Sequence, residues 1–133
     1  MTNKKRVEVA VGVILRDSKV FLTKRANNTH QGGKWEFPGG KKESTETIEQ
    51  ALIRELQEEV DIRVTKPSLL LNIRHDYPDK SVSLDVFVVE GFDGEPSSQE
   101  GLLSQWVDIQ QLSEIDFPEA NKPIVEKLNQ LQV

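Results

Sequence analysis

The sequence predicts an α+β domain whose sheet is covered by helices on both faces. Three observations lead there. Runs of β-branched and aromatic residues, each ending in turn-forming residues, lie on both sides of one amphipathic helix at 47–60. A second amphipathic helix closes the chain at 118–131. The length of 133 residues suits one domain with a real core, and no linker, repeat or low-complexity run divides it, so 1–133 reads as a single unit. Strands around a central helix, with another helix at the end, bury both faces of a sheet.

In chain order, Val7, Val9, Val11 and Val13 alternate with Glu8, Ala10 and Gly12, the period of a strand. Asp17-Ser18 is a turn, and 20–25 returns as its hairpin partner. Asn27-Asn28 and Gly32-Gly33 mark a loop over 27–33, and 35–38 is a short extended piece. A glycine pair, Gly39-Gly40, opens a polar loop. Thr47 followed by Gln50 fits a capping box and starts the helix, whose stripe is Ile48, Leu52, Leu56 and Val60 with Ala51 and Ile53 at its edges. From Asp61 to Val64 the chain is extended again; 69–75 is a strand, 77–80 a turn and 82–89 its hairpin partner. Gly91, Gly94 and Pro96 break 91–101 into a polar loop. A short strand follows at 104–107, then an irregular stretch or helical turn at 112–117. The last helix, 118–131, turns Ile124, Val125, Leu128 and Leu131 inward.

Composition excludes several classes. The net charge of −5 comes with no basic stripe, so nucleic acid is not an expected partner. With no cysteine there is no disulfide framework, thiolate metal site or thiol nucleophile. Residues 1–6 are basic, but the apolar run behind them is broken by Glu8 and closed by Arg16, which is not a secretory leader. No stretch is long enough to span a membrane. The expectation is a cytoplasmic monomer acting on a small molecule.

The chemistry concentrates between Gly39 and Ile62. Glu46 precedes the helix, and Arg54, Glu55, Glu58 and Glu59 sit near its end. At about 100° per residue, Glu55, Glu58 and Glu59 share an arc of roughly 100° beside the apolar stripe, not the far solvated side. Like charges at this spacing cost on the order of 0.2–0.5 kcal/mol per pair, and anions at a helix C-terminus oppose the macrodipole. Taken alone, this could be a solvated acidic face with Arg54 paired to Glu58. A hard divalent cation would instead turn the repulsion into binding, because Mg²⁺ takes oxygen ligands and shares its shell with phosphates.

The full spacing is glycine, five residues, Glu46, seven residues, then Arg54-Glu55-Leu56-Gln57-Glu58-Glu59-Val60-Asp61-Ile62. It resembles the signature of the Nudix hydrolases. One position departs: Asp61 stands where the family usually has glycine, just past the helix end, where positive φ is common. The resemblance implies the Nudix fold, a mixed β-sheet in an α/β/α sandwich, over essentially the whole chain. It implies that Glu58 and Glu59 ligate metal, with the Gly39 carbonyl a further candidate, and that Glu55 is the general base. Arg54 would orient the carboxylates, and Glu46 would ligate a second metal or pair with Arg54. Outside the box, Glu100-Gly101 shortly before Trp106 resembles the segment from which MutT-type members supply another metal-ligating glutamate; Glu95 and Glu90 are weaker claimants.

The similarity to the MutT-type branch extends to residues 23–26, 36–41, 77–79 and 117–123. It implies an 8-oxo-dGTP diphosphatase that uses Mg²⁺, with Mn²⁺ as a substitute, to release 8-oxo-dGMP and pyrophosphate. Asn121 carries the most substrate information, since an amide offers an acceptor and two donors to a guanine edge. Arg25 could donate to the altered base, Phe37 could pack on it, and Lys80 stands where a family arginine closes over the ligand, without the planar fork. The alternatives are a Nudix pyrophosphohydrolase of broader nucleotide preference and a silent nucleotide-binding module, the latter opposed by the intact Glu55, Glu58 and Glu59.

Overall fold

The alternation that starts at Val7 runs longer than its valines suggest. In the computed structural model, which describes residues 5–25 and 32–131, the first strand, β1, spans Lys5–Arg16 and hairpins into β2, Lys19–Lys24. Asp17 and Ser18 make the turn with φ of 54° and 62°, the twist-matched geometry of a two-residue hairpin. Most of the loop expected at 27–33 lies outside the described residues. β3 is Trp35–Glu36, β4 is Gly39–Lys41, and the box helix α1 is Ile48–Val60. A long hairpin follows, β5 at Arg63–Asp76 and β6 at Lys80–Asp93, closed by the Tyr77 N–H on the Lys80 carbonyl at 2.8 Å. β7 is Ser104–Asp108 and α2 is Lys122–Leu131.

The strands run in the order β3-β2-β1-β6-β5, with β4 also on β1 and β7 also on β2. β1 pairs β6 in parallel, and the other pairings are antiparallel, so the sheet is mixed. Period-2 alternation divides the interior in two. Val11, Val13, Val20, Leu22, Leu84 and Val86 face Ile124, Val125 and Leu128 of α2. Ala10, Ile14, Phe21, Phe87 and Val89 face Leu52, Leu56 and Val60 of α1. This is the sandwich of helix, sheet and helix.

Four expectations need correction. Gly39 to Lys41 is not loop: it pairs with β1 at Val11, Ala10 and Val9, because glycine lets that backbone approach. A Cβ on Gly39 would fall 2.0 Å from the Ala10 carbonyl oxygen. Gly91 does not end β6, which stays paired with β5 to Asp93. The last helix starts at Lys122, not at 118. Pro123 has no N–H for the carbonyl four residues back, so the Glu119 carbonyl is taken by Lys122 in a preceding 3₁₀ turn, Glu119–Asn121. Leu131, expected inside, is 56 % exposed and outside the core cluster.

Candidate active site

Helix α1 is fastened at both ends, and that fastening sets the site. At its start the Gln50 N–H donates to Thr47 Oγ1 at 3.1 Å and the Thr47 N–H to Gln50 Oε1 at 2.8 Å, both halves of the capping box. Ala51, Leu52, Leu56 and Val60 are fully buried against the sheet. Gly12 of β1 lies beneath them, where a Cβ would sit 2.8 Å from a Leu56 methyl. At the end, Asp61 adopts the left-handed conformation at φ 57° and ψ 42°, the geometry for which the family's glycine is suited. The last carbonyls of α1 are capped from elsewhere: the Ser97 N–H donates to Val60 at 3.0 Å and the Gln99 N–H to Glu59 at 2.8 Å.

Arg54 is the hub of the polar face. Its Nε and Nη2 donate to the two Glu46 oxygens at 3.1 and 2.7 Å. Nη1 donates to Glu55 at 2.9 Å and to Glu58 at 3.4 Å, and Nη2 also reaches the Lys41 carbonyl at 3.0 Å. A planar, permanently charged fork suits this division better than lysine could. Glu46 is largely shielded, and Arg54 together with the Glu43 N–H holds its carboxyl down at about 2. Glu58 is 60 % exposed and held only at the longest of these contacts.

The glycine pair presses on the other two carboxylates. The Gly39 N–H donates to Glu59 Oε2 at 3.1 Å. A Cβ on Gly40 would land 2.3 Å from the Glu55 carboxyl carbon, so Glu55 lies flat against bare backbone. Burial raises the Glu55 carboxyl above its ordinary value against the opposing pull of Arg54. Burial also raises Glu59 to about 8, helped by Glu55, Glu100 and Glu36 and opposed by the Gly39 N–H. Among the described residues no three acidic or histidine side chains yet close around a single point. The donor set nonetheless fits a hard divalent cation: it is all oxygen, from crowded carboxylates of one sign.

A NUDIX domain model matches residues 10–127, most of the chain. The chain belongs to the Nudix hydrolase family. Among its relatives, an 8-oxo-dGTP diphosphatase of Escherichia coli K12 is 42 % identical over 128 residues, covering 96 % of this chain and 99 % of that protein. A CTP pyrophosphohydrolase of the same organism is 31 % identical over 122 residues, covering 92 % and 90 %. A structure from work on MutT of Aliivibrio salmonicida and Vibrio cholerae superimposes with a TM-score of 0.86 at 40 % identity, covering 96 % and 99 %.

On this Nudix scaffold Arg25, Phe37 and Asn121 fall around β3 and the start of α2, while Lys80 lies at the start of β6. Phe37 is only 4 % exposed, and its ring is stacked on Phe117 with centroids 5.2 Å apart, so it faces the core and fixes the segment that carries Asn121. Asn121 is half-buried, and among the described residues its side-chain amide makes no hydrogen bond; its backbone N–H donates to the Pro118 carbonyl. Arg25 pairs with Glu36 at 2.6 Å. Lys80 is exposed and lies 5.5 Å over the Tyr77 ring. Glu100 is exposed beside the box, close enough for its charge to act on Glu36 and Glu59.

Glu36 was not anticipated. It links Arg25 to the carboxylate cluster, and burial raises its carboxyl despite the Arg25 partner. Its signals in the sequence are a glutamate inside an otherwise apolar run, Trp35-Glu36-Phe37, directly before the glycines, and its place in the 36–41 stretch that resembles MutT-type members. Phe117 was missed as well, because its stacking partner is far away in the chain.

Proposed function

We propose that this chain hydrolyses 8-oxo-dGTP to 8-oxo-dGMP and pyrophosphate with Mg²⁺, or Mn²⁺ in its place, and thereby removes a nucleotide that mispairs with adenine in replication. The observation that carries the chemistry is the register of the glycine pair with α1, which lays Glu55 on Gly40 and ties Glu59 to Gly39. The 42 % identity to the E. coli diphosphatase over its nearly full length supports the substrate.

In this reading Glu58, Glu59, Glu100 and the Gly39 carbonyl would hold the metal, which when bound would supply charge neutralisation at the phosphates and a lowered pKa for water. Glu55 accepts the attacking water's proton on its carboxylate as attack proceeds at the β-phosphorus, and the burial that raises its carboxyl makes it a stronger base than an ordinary glutamate. Arg54 keeps Glu55 and Glu46 oriented and cannot itself lose its proton. Asn121, with its amide free, reads the base edge; Arg25, aimed by Glu36, donates to it; Phe37 supports this wall from behind, and Lys80, at the β5–β6 turn, is the residue to close over the ligand. We take the protein to work as a cytoplasmic monomer without nucleic-acid or membrane partners, a reading that rests on its acidic charge and lack of a basic stripe.

The relative named for CTP favours a second reading, a Nudix pyrophosphohydrolase of wider nucleotide range, since one box serves many bases. Pyrophosphate release measured on 8-oxo-dGTP, dGTP, the other dNTPs and CTP at low concentration separates the two. A preference of orders of magnitude in kcat/KM for the oxidised nucleotide supports the first; similar rates on all support the second. No release from any of them, with nucleotide binding intact, would point to a silent binding module.

A further inference from the structure

Glu100 has no means of holding its own position. Its side chain is exposed and, among the described residues, makes no hydrogen bond or ion pair. Its place beside Glu59 is therefore set by the loop that carries it. That loop starts at Gly94, with φ 102° and the Asp61 carbonyl 3.1 Å from where a Cβ would be, which brings the backbone close to the end of α1. It is then anchored at the buried Pro96, at Ser97 and at Gln99, whose N–H bonds the Glu59 carbonyl one residue before Glu100.

The remaining anchor comes from the far end of β1. Arg16 donates from Nη1 to Glu95 Oε2 at 2.9 Å and from Nη2 to Oε1 at 2.7 Å, a parallel two-bond fork. Its guanidinium lies 4.5 Å over the Trp106 ring, and Trp106 meets the buried Phe21 edge-on at 5.4 Å. The guanidinium is thus seated on an aromatic shelf backed by the core under α1, and it grips the first turn of the loop. A fork with its face covered loses less freedom on bonding than a free surface lysine would.

We propose that Arg16 is a positioning residue: through Glu95 it holds the 94–101 loop so that Glu100 stays in register with Glu59. This rests on the reading of Glu100 as a metal-site carboxylate. The test uses the full chain and Mn²⁺ alone, with the dissociation constant taken from the free-ion signal in electron paramagnetic resonance. It compares Arg16→Gln and Glu95→Gln, each in the parent and in a Glu100→Gln background. Each change should weaken Mn²⁺ about two- to fivefold in the parent, the range an exposed bidentate pair supports. It should lower kcat with little change in KM, and it should cost nothing further once Glu100 is Gln. Equal losses in both backgrounds would mean a merely structural ion pair and overturn the proposal, as would no change in the parent while Glu100→Gln itself weakens Mn²⁺. If Glu100→Gln leaves Mn²⁺ affinity intact, the reading of Glu100 falls and the role of Arg16 falls with it.

Discussion

The two adjacent box glycines should fail in opposite ways when given a methyl group. Gly40→Ala puts a Cβ 2.3 Å from the Glu55 carboxyl, the mobile tip of a side chain. Ordinary contact requires that tip to retreat by about 1 Å, and a displacement of that size at a reacting group costs about 100-fold in rate. Gly40 does not have positive φ, so the backbone accepts alanine. The lost Glu55 to Arg54 bond, worth about 1 kcal/mol, is offset in part by the roughly 0.4–1 kcal/mol gained from stiffening the unfolded chain. Gly39→Ala instead drives a Cβ to 2.0 Å from the Ala10 carbonyl oxygen and 2.9 Å from Val11 Cα, both backbone of β1. No side chain can yield there, so β4 must lift off β1 at a cost of about 3 kcal/mol or more, or roughly 10 °C in Tm for a domain of this size. The assay pairs metal-free thermal melts with steady-state pyrophosphate release. Expected are a near-parental Tm with kcat/KM down about 100-fold for Gly40→Ala, and a collapsed Tm for Gly39→Ala. A Gly40→Ala protein with full activity, or one that melts as early as Gly39→Ala, would refute the division of labour.

Other outcomes follow from the same geometry. Glu59 has its folded-state carboxyl raised to about 8, so between its ordinary value and that point folding takes up a proton. Its contribution is therefore present at low pH and lost as pH rises through about 8; metal-free Tm should fall across this window, and Glu59→Gln should flatten the slope. If Glu59 ligates the metal as proposed, a divalent cation displaces that proton, and Mg²⁺ should raise Tm more above this pH than well below it. Asn121→Ala should lower kcat/KM on 8-oxo-dGTP by roughly tenfold, one lost hydrogen bond, while sparing unmodified nucleotides; equal loss on all of them would remove Asn121 from base reading. Asp61→Gly should relieve a left-handed residue and an anion at the wrong end of the dipole, raising stability by up to about 1 kcal/mol, less what the Gln57 contact to Asp61 at 3.0 Å returns. Turnover should stay unchanged, and a large change would tie the site to this turn.

What could be read in advance was local. The start of α1 was legible because a capping box and a four-residue apolar repeat act within one helix, and the fate of Asp61 because a helix end favours positive φ in whatever residue stands there. The gathering of Glu46, Glu55, Glu58 and Glu59 was likewise contained in one loop and one helix. What could not be read depends on contacts across the chain. Gly39 and Gly40 have no strand propensity of their own, and only the approach to Ala10 makes β4 a strand. Gly91 looks like a breaker until β5 lies beside it. The Arg16 to Glu95 fork and the Phe37 to Phe117 stack join residues that nothing in the spacing associates. Leu131 keeps the period of its helix, yet the packed core ends before it.

The parallel pairing of β1 with β6 also governs when the site can exist. Every box residue has left the ribosome long before Lys80 to Val89, yet β1 is flanked on one side by β6 and gains that neighbour only when this late stretch arrives. Until then α1 has half a sheet to lie on, and its carboxylates, though already beside Arg54 and Gly39, lack the finished sheet that holds them in place. Pairing between such distant segments is slow to form and leaves apolar strands open meanwhile. A nascent or truncated chain that ends in the β5–β6 turn therefore carries the complete signature but no working site, and activity should arise in one late step.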